Sequence, residues 1–490
     1  MKFDGKILII GLGAVSRCAF PLLLKHLQMD RKRITVMDFA DVPAAKHVTD
    51  AGANFVKEKI VQETMGQQLA NYVGNGDIII DLAWNIGCSD ILQWCHDNGV
   101  RYVNASVEIW DPYEGAANRT PTQRTLYYRH MRLREMFATW KNGKGPTAVI
   151  DHGANPGLVQ HFTKEALENI ATQWLIDYNL PSARRDQIQD ALKSKAYNKL
   201  SMHLGVKTIH ISERDTQITN QPKQVDEFVN TWSIEGFREE GVAPAEMGWG
   251  THERSLPPRA QQHQQGPQNQ ICLAQMGCRT YVRSWVPDYE IVGMVIRHGE
   301  AFSISEHLTV WNRHTPIYRP TVHYAYCPCD MAIASLFELH MRNYELQPRL
   351  RIMDDDITTG QDILGCLLMG HDYKSWWIGS LLDIDETRRL VPYPGQNATT
   401  LQVACSVLAA VLWMIENPNE GVNLPEQLPH DFILKHAKPY LGPWYSKPVD
   451  WTPLKNWSHL YEKFGTPRPK EEDLWQFNTF LMNNLSGMAY

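Results

Sequence analysis

At 490 residues the chain exceeds what one hydrophobic core usually organises, so two domains, or one domain with a large insertion, are expected. Its 43% hydrophobic, 21% charged and 10% aromatic residues are those of a globular protein, without low-complexity segments or internal repeats. A formal net charge of −6 and no basic tract argue against nucleic-acid binding, and nine cysteines without disulfide-framework spacing point to a reducing cytoplasm.

Lys2 and Lys6 ahead of an apolar run imitate a secretory signal, but Gly11, Gly13 and Arg17 interrupt it too early. Residues 6–10 read instead as a strand that meets a glycine turn and then a helix over 15–27. Further strands are expected at 33–38, 77–82, 100–104 and 147–151, with a helix over 91–97 between two of them. That alternation predicts an α/β fold with βαβ units and a parallel, doubly wound sheet: a Rossmann-type dinucleotide-binding domain over residues 1–154.

From about residue 155 the strands lengthen and alternate, at 207–212, 280–284, 290–296 and 302–311, so an inserted α+β substrate and dimerisation domain is expected over 155–395. The stretch 257–270, rich in Gln, Pro and His, reads as a surface excursion. Beyond the break at Pro392, Pro394 and Gly395, an asparagine or threonine within 397–400 caps an apolar helix over 401–416. The helix is too short to span a membrane and reads as buried, with the C-terminal helices (396–490) returning to the first domain.

The dinucleotide fingerprint is Gly11-Leu-Gly13-Ala14-Val15-Ser16. Gly11 permits the tight turn, Gly13 lets a pyrophosphate approach the backbone, and the helix start at Ala14 and Val15 offers N–H donors to the anion. Ser16 replaces the usual third glycine, and its hydroxyl can donate to phosphate. Asp38 closes the second strand where a carboxylate accepts bonds from the ribose hydroxyls and repels a 2′-phosphate, which predicts NAD over NADP. Asn85, Asn104 and Ala105 follow later strands of the same sheet and are expected to border the cofactor. For Trp84, core packing and a cofactor contact stay open.

With residues 11–16, 102–108, 152–157, 230–237, 248–253, 298–305 and 397–402, together with Glu240, the chain resembles the saccharopine dehydrogenase-type enzymes and, among them, the homospermidine synthases. The resemblance implies a homodimer that holds NAD tightly, reduces and reoxidises it within one turnover, and joins two putrescine molecules with loss of ammonia. Ser16 and the stretch 257–270 have no counterpart in it.

A putrescine pocket must neutralise two ammonium groups and desolvate four methylenes, for which carboxylates and aromatic faces are suited. The resemblance assigns this to Trp232, Glu213 and Glu240. Hydride loss needs a free amine lone pair, so a proton must leave, and His298 and Glu300 are candidates for that shuttle. Asn155, after the last Rossmann strand, is placed to reach the same pocket.

Bland alternatives accompany each residue: Trp232 as core, Glu213 as a surface ion pair with Arg214, and His298 with Glu300 on one face of a solvated strand. Trp376, Trp377 and residues 443–445 read as packing between domains or subunits. No metal-ligand spacing is present despite 19 histidines. A reductase of carboxylated amines needs a cation facing the substrate carboxylate, so Arg283 or Arg297 in the pocket favours that alternative; a non-reacting dinucleotide sensor is the third.

Overall fold

The computed structural model describes residues 1–140, 144–463 and 467–482. Its first sheet is built from β1 (Ile7–Ile10), β2 (Ile34–Asp38), β3 (Asn54–Lys57), β4 (Ile78–Asp81), β5 (Arg101–Asn104) and β6 (Ala148–Val149). The seven strands run in the order Val422–Asn423, β6, β5, β4, β1, β2, β3, and every pairing is parallel. Both faces are covered. Ile7 and Ile9 point into one core, shared with helix α1 (Ala14–His26) and the helix Ala398–Glu416; Leu8 and Ile10 point into the other, shared with the helix Cys88–Asn98.

The helix Ala398–Glu416 begins as expected, at Asn397, whose side chain accepts the backbone N–H of Thr400 at 2.8 Å. It is long and apolar enough to cross a membrane, yet 89% of its apolar window is buried inside the molecule. After it, Val422–Asn423 pairs with β6, so the chain does come back to the first sheet. The return is partial: Trp444–Val449 instead adds to the second sheet, beside Ser375–Asp383. Of the expected segment 396–490, residues 464–466 and 483–490 lie outside the described residues.

The second sheet has ten strands around β7 (Thr208–Asp215), which runs parallel to Thr321–Cys327 and antiparallel to Gln361–Met369. Three expectations need correcting here. Residues 302–311 are not a strand: Glu300–His307 is a helix, followed by the short strand Val310–Asn312. The sequence Phe-Ser-Ile-Ser alternates, but Glu300 to Ser305 are all buried, so no solvent face existed to make that alternation meaningful. His298 and Glu300 accordingly share no strand face. The stretch 257–270 is only partly an excursion, because Ala260–Gln262 pairs with Gln270–Met276, and buried Asn269 donates to the Phe302 carbonyl at 2.7 Å. Trp377 is fully buried inside the second sheet's own core, with its Nε1 donating to Ser212 Oγ at 2.8 Å.

A tight loop carries the chain out of β6. Gly153 N–H donates to the Pro156 carbonyl at 2.6 Å, Leu158 N–H returns to the Gly153 carbonyl at 3.0 Å, and Gln160 Oε1 accepts Gly157 N–H at 2.7 Å. Gly157 has φ +132°, and a Cβ there would overlap the Gly153 carbonyl. Gly157→Ala is therefore expected to cost roughly 1–3 kcal/mol of stability. A thermal melt checks this, and an unchanged melting temperature would contradict the loop geometry.

Candidate active site

A cavity of about 190 Å³ lies beyond the C-terminal ends of β4, β5 and β6, where ligands bind in open α/β sheets. Its first wall is Val15, Ala83, Trp84, Ala105, Ser106 and Asn155; its second is Glu213, Trp232, Glu240, His298 and Tyr324. Trp84 thus belongs to the cavity, at 36% exposure, and not to a core.

The residues on the first wall suit a dinucleotide. Gly11 has φ +88°, a Cβ at Gly13 would meet nothing within 4 Å, and no side chain caps the start of α1. Backbone donors there are left open for an anion. Ser16 is buried and its Oγ has no hydrogen-bond partner, as is Asn85 Oδ1 after β4, where Asn85 has φ +61°. At the end of β2 the Asp38 carboxylate accepts Leu12 N–H at 2.7 Å and Ala40 N–H at 2.9 Å, which fixes it against the glycine turn. Ala14 is buried beneath that turn, and Ala105 lines the cavity. Asn104 is placed differently: its amide donates to the Ser106 carbonyl at 2.7 Å and accepts Asp151 N–H at 2.8 Å, stapling two strand ends outside the cavity lining.

On the second wall, Glu213 and Asp215 are two residues apart on β7, and Asp362 stands opposite Asp215 on the neighbouring strand. All three are buried. Asp215 is well satisfied, accepting Thr231 Oγ1 at 2.7 Å and Gln217 N–H at 2.9 Å. Glu213 Oε2 accepts Asn155 Nδ2 at 3.1 Å and the Tyr324 hydroxyl. Burial, then the charge of Asp215, push its carboxyl up to about 7 against the opposing Tyr324 bond. Asp362 accepts Thr399 Oγ1 at 2.5 Å; burial and the charges of Glu213 and Asp215 push its carboxyl well above the usual carboxylate range. The ion pair once possible for Glu213 is made elsewhere, since Arg214 binds Asp330 at 2.7 Å.

His298 is held between two carboxylates, its Nε2 3.1 Å from Glu240 and its Nδ1 3.3 Å from Glu300, with the Tyr324 ring 4.3 Å away. Burial disfavours its charge, but Glu300 and Glu240 outweigh that and keep it protonated well above the ordinary histidine range. Glu300 is fully buried, has no hydrogen-bond donor on either oxygen, and stays behind His298 outside the cavity lining. Trp232 is both wall and support: its Nε1 donates to Tyr326 at 3.0 Å and its ring packs on Phe237.

Among the described residues, no arginine or lysine lines this cavity. Arg283 is turned to Glu290 and the Pro453 carbonyl, and Arg297 is buried against Glu239. Also among the described residues, no group of three or more His, Cys, Asp or Glu could hold a metal ion. Tyr324, Asp215, Asp362 and the half-buried Glu108 at the cavity edge were missed from the sequence. Only Glu108 had a signal, as the last residue of a motif already noted for its neighbours.

A dinucleotide crevice facing an acidic, aromatic slot across two sheets defines a class, the saccharopine dehydrogenase type. Models of that family's NADP binding domain and C-terminal domain match residues 7–149 and 153–447. The homospermidine synthase of Mesorhizobium japonicum is 37% identical over 489 residues, spanning 98% of this chain and 97% of its own length, and that of Blastochloris viridis is 38% identical over 492, spanning 99% and 98%. A crystal structure of the Legionella pneumophila homospermidine synthase in complex with NAD superposes with a TM-score of 0.86 at 36% identity, covering 99% of both chains. Yeast saccharopine dehydrogenase shares the fold at a TM-score of 0.50 and 12% identity, covering 91% of this chain and all of its own. The chain belongs to the homospermidine synthase family.

The position of Asp38 yields a test. Asp38→Asn keeps one acceptor but removes the charge that repels a 2′-phosphate, so NAD affinity is expected to fall roughly tenfold while the preference over NADP narrows. Titration with both nucleotides measures it, and an unchanged ratio would remove Asp38 from the ribose site.

Proposed function

We propose that the protein is a homospermidine synthase that condenses two putrescine molecules, through imine intermediates and with release of ammonia, using NAD as a recycled hydride carrier. The observation that carries this is the wall chemistry: Glu213, Glu240, Trp232 and Tyr324 face a crevice fitted for a dinucleotide, without an arginine or lysine among the described lining residues. A substrate with an α-carboxylate would be repelled by such a slot, whereas a diamine supplies the cations it lacks. Bound at the glycine turn, NAD supplies the acceptor and then the donor of one hydride, so net redox is zero.

The chain's own residues do the rest. Trp232 offers its face to an ammonium, worth about 0.5–2 kcal/mol depending on desolvation. Glu240, anchored by His298, stays an oriented carboxylate for the same cation. The shuttle role falls to Glu213, because a carboxyl near 7 exchanges its proton with an amine at neutral pH, while a doubly flanked imidazolium is a poor base. Glu300 acts through His298 by holding its charge. Asn155 and Tyr324 orient Glu213 and select which oxygen meets the amine. The nine cysteines, all free thiols, support a cytoplasmic setting, and a homodimer is what the family resemblance implies.

The direct test incubates the protein with putrescine and catalytic NAD. Homospermidine and ammonia are expected in equal amounts without lasting NADH, and steady NADH release would refute the redox-neutral scheme. Trp232→Ala should lower kcat/KM by up to about thirtyfold, matching the loss of the ring–cation contact. A pH profile tests Glu213. Because its ionised form is required, kcat/KM should fall below a pH of about 7, and Tyr324→Phe, by removing a donor to the carboxylate, should move that limb upward. A limb that moves down or not at all would take the proton transfer away from Glu213.

A further inference from the structure

Glu239 precedes Glu240 in the helix Ile234–Val242, and Arg297 precedes His298 in the segment packed against it. The two pairs form consecutive rungs: Arg297 Nη2 binds Glu239 Oε2, and His298 Nε2 lies 3.1 Å from Glu240 Oε2. A third segment joins the first rung. Arg129, from the helix Leu126–Phe137, reaches Glu239 Oε1 at 2.6 Å with one nitrogen and donates to the Val107 carbonyl at 2.9 Å with the other. Arg297 also donates to the Arg124 carbonyl at 3.1 Å, beside the same helix. The side chains of Arg129, Glu239 and Arg297 are 11%, 6% and 4% exposed, so the triad is largely withdrawn from solvent at the floor of a second cavity.

We propose that Glu239 is a positioning residue: clamped between Arg129 and Arg297, it fixes the register in which Glu240 meets His298 and keeps the Arg297 guanidinium out of the amine cavity. This rests on the diamine reading above. The physical reason is competition. A guanidinium grips a carboxylate with two parallel bonds and stays charged, so a free Arg297 would displace His298 from Glu240, its neighbour by one residue. A permanent cation would then occupy a slot that must admit a dication. Two arginines on one carboxylate leave an excess positive charge, which buried Glu246 and, one residue along the helix, Glu240 oppose. Arg129 adds a further constraint, because Val107 lies in the 105–108 segment that lines the cofactor wall. One carboxylate therefore spaces that wall from the helix carrying Glu240.

A brace that only stabilised the fold would behave differently under double substitution. Glu239→Gln keeps the shape but frees Arg297; the melting temperature is expected to fall, because two largely buried guanidinium groups lose their carboxylate, and KM for putrescine to rise at least about tenfold. Adding Arg297→Met removes the intruding cation and should bring KM part of the way back. A double variant worse than either single one, or wild-type kinetics in Glu239→Gln, would overturn the proposal. If Glu239→Gln does not fold, Arg129→Lys retains the charge but loses one prong, and wild-type kcat and KM in that variant would overturn it equally.

One readout is independent of turnover. His298 faces Glu240, Glu300, Tyr324 and, across the cavity, Glu213, with Arg297 and Glu239 behind it. Freeing Arg297 toward that group disfavours the imidazolium, so its pKa in Glu239→Gln should drop by about one unit or more. Histidine-labelled protein followed by NMR, with the His298 signal assigned by its loss in His298→Asn, measures it. An unshifted His298 defeats the clamp even if the wild type makes no homospermidine, and that latter result defeats the functional reading alone.

Discussion

The constraint on which this molecule depends is buried negative charge. Glu213, Asp215, Asp362 and Glu300, with the half-buried Glu240, crowd one region, and a carboxylate removed from water is costly unless donors, protons or cations compensate it. Each is compensated in its own way. Hydroxyl and backbone donors satisfy Asp215, Tyr324 and Asn155 donate to Glu213, Thr399 donates to Asp362, and one imidazolium serves both Glu240 and Glu300. The carboxyl groups of Glu213 and Glu240 face the cavity. A cationic ligand would offset this charge, and an anionic one would worsen it.

Geometry delivers these groups to one place through a few local devices. The parallel sheet sends the loops after β4, β5 and β6 to a common edge, and the tight loop closed by Gly157 turns Asn155 toward Glu213 across 3.1 Å. The helix Ala398–Glu416 contributes from a third direction, since Thr399 at its first turn bonds Asp362 while its apolar body packs on α1. Long-range contacts therefore build the slot from separate stretches of chain spread between Val15 and Val403. Such a site is formed only when both sheets have folded and docked.

Much of the first sheet was legible in the sequence because strand, glycine turn, helix and acidic strand end follow each other within 38 residues. Local order carries that information. The segment 298–307 was not legible: its alternation imitates a strand, and only burial on all sides, a tertiary fact, tells the helix apart. The motif containing Asn104 pointed to the right loop but not to the side chain's task, which is spent on Ser106 and Asp151. Tyr324, Asp362 and the Arg129–Glu239–Arg297 triad left no trace, because their partners lie roughly 60 to 150 positions away and no spacing rule reaches so far.

His298 illustrates why residue type alone assigns roles poorly. A histidine in a cleft suggests a base, and a base must be neutral to accept a proton. Two flanking carboxylates do the reverse, since each stabilises the imidazolium and neither can be relieved without leaving an unpaired buried charge. The group that can trade a proton near neutrality is the one whose environment pulls both ways: Glu213 is raised by burial and by Asp215 but restrained by Tyr324 and Asn155. Division of labour follows from that asymmetry. His298 is held in its charged form by two carboxylates, whereas Glu213 is pulled both ways by its surroundings.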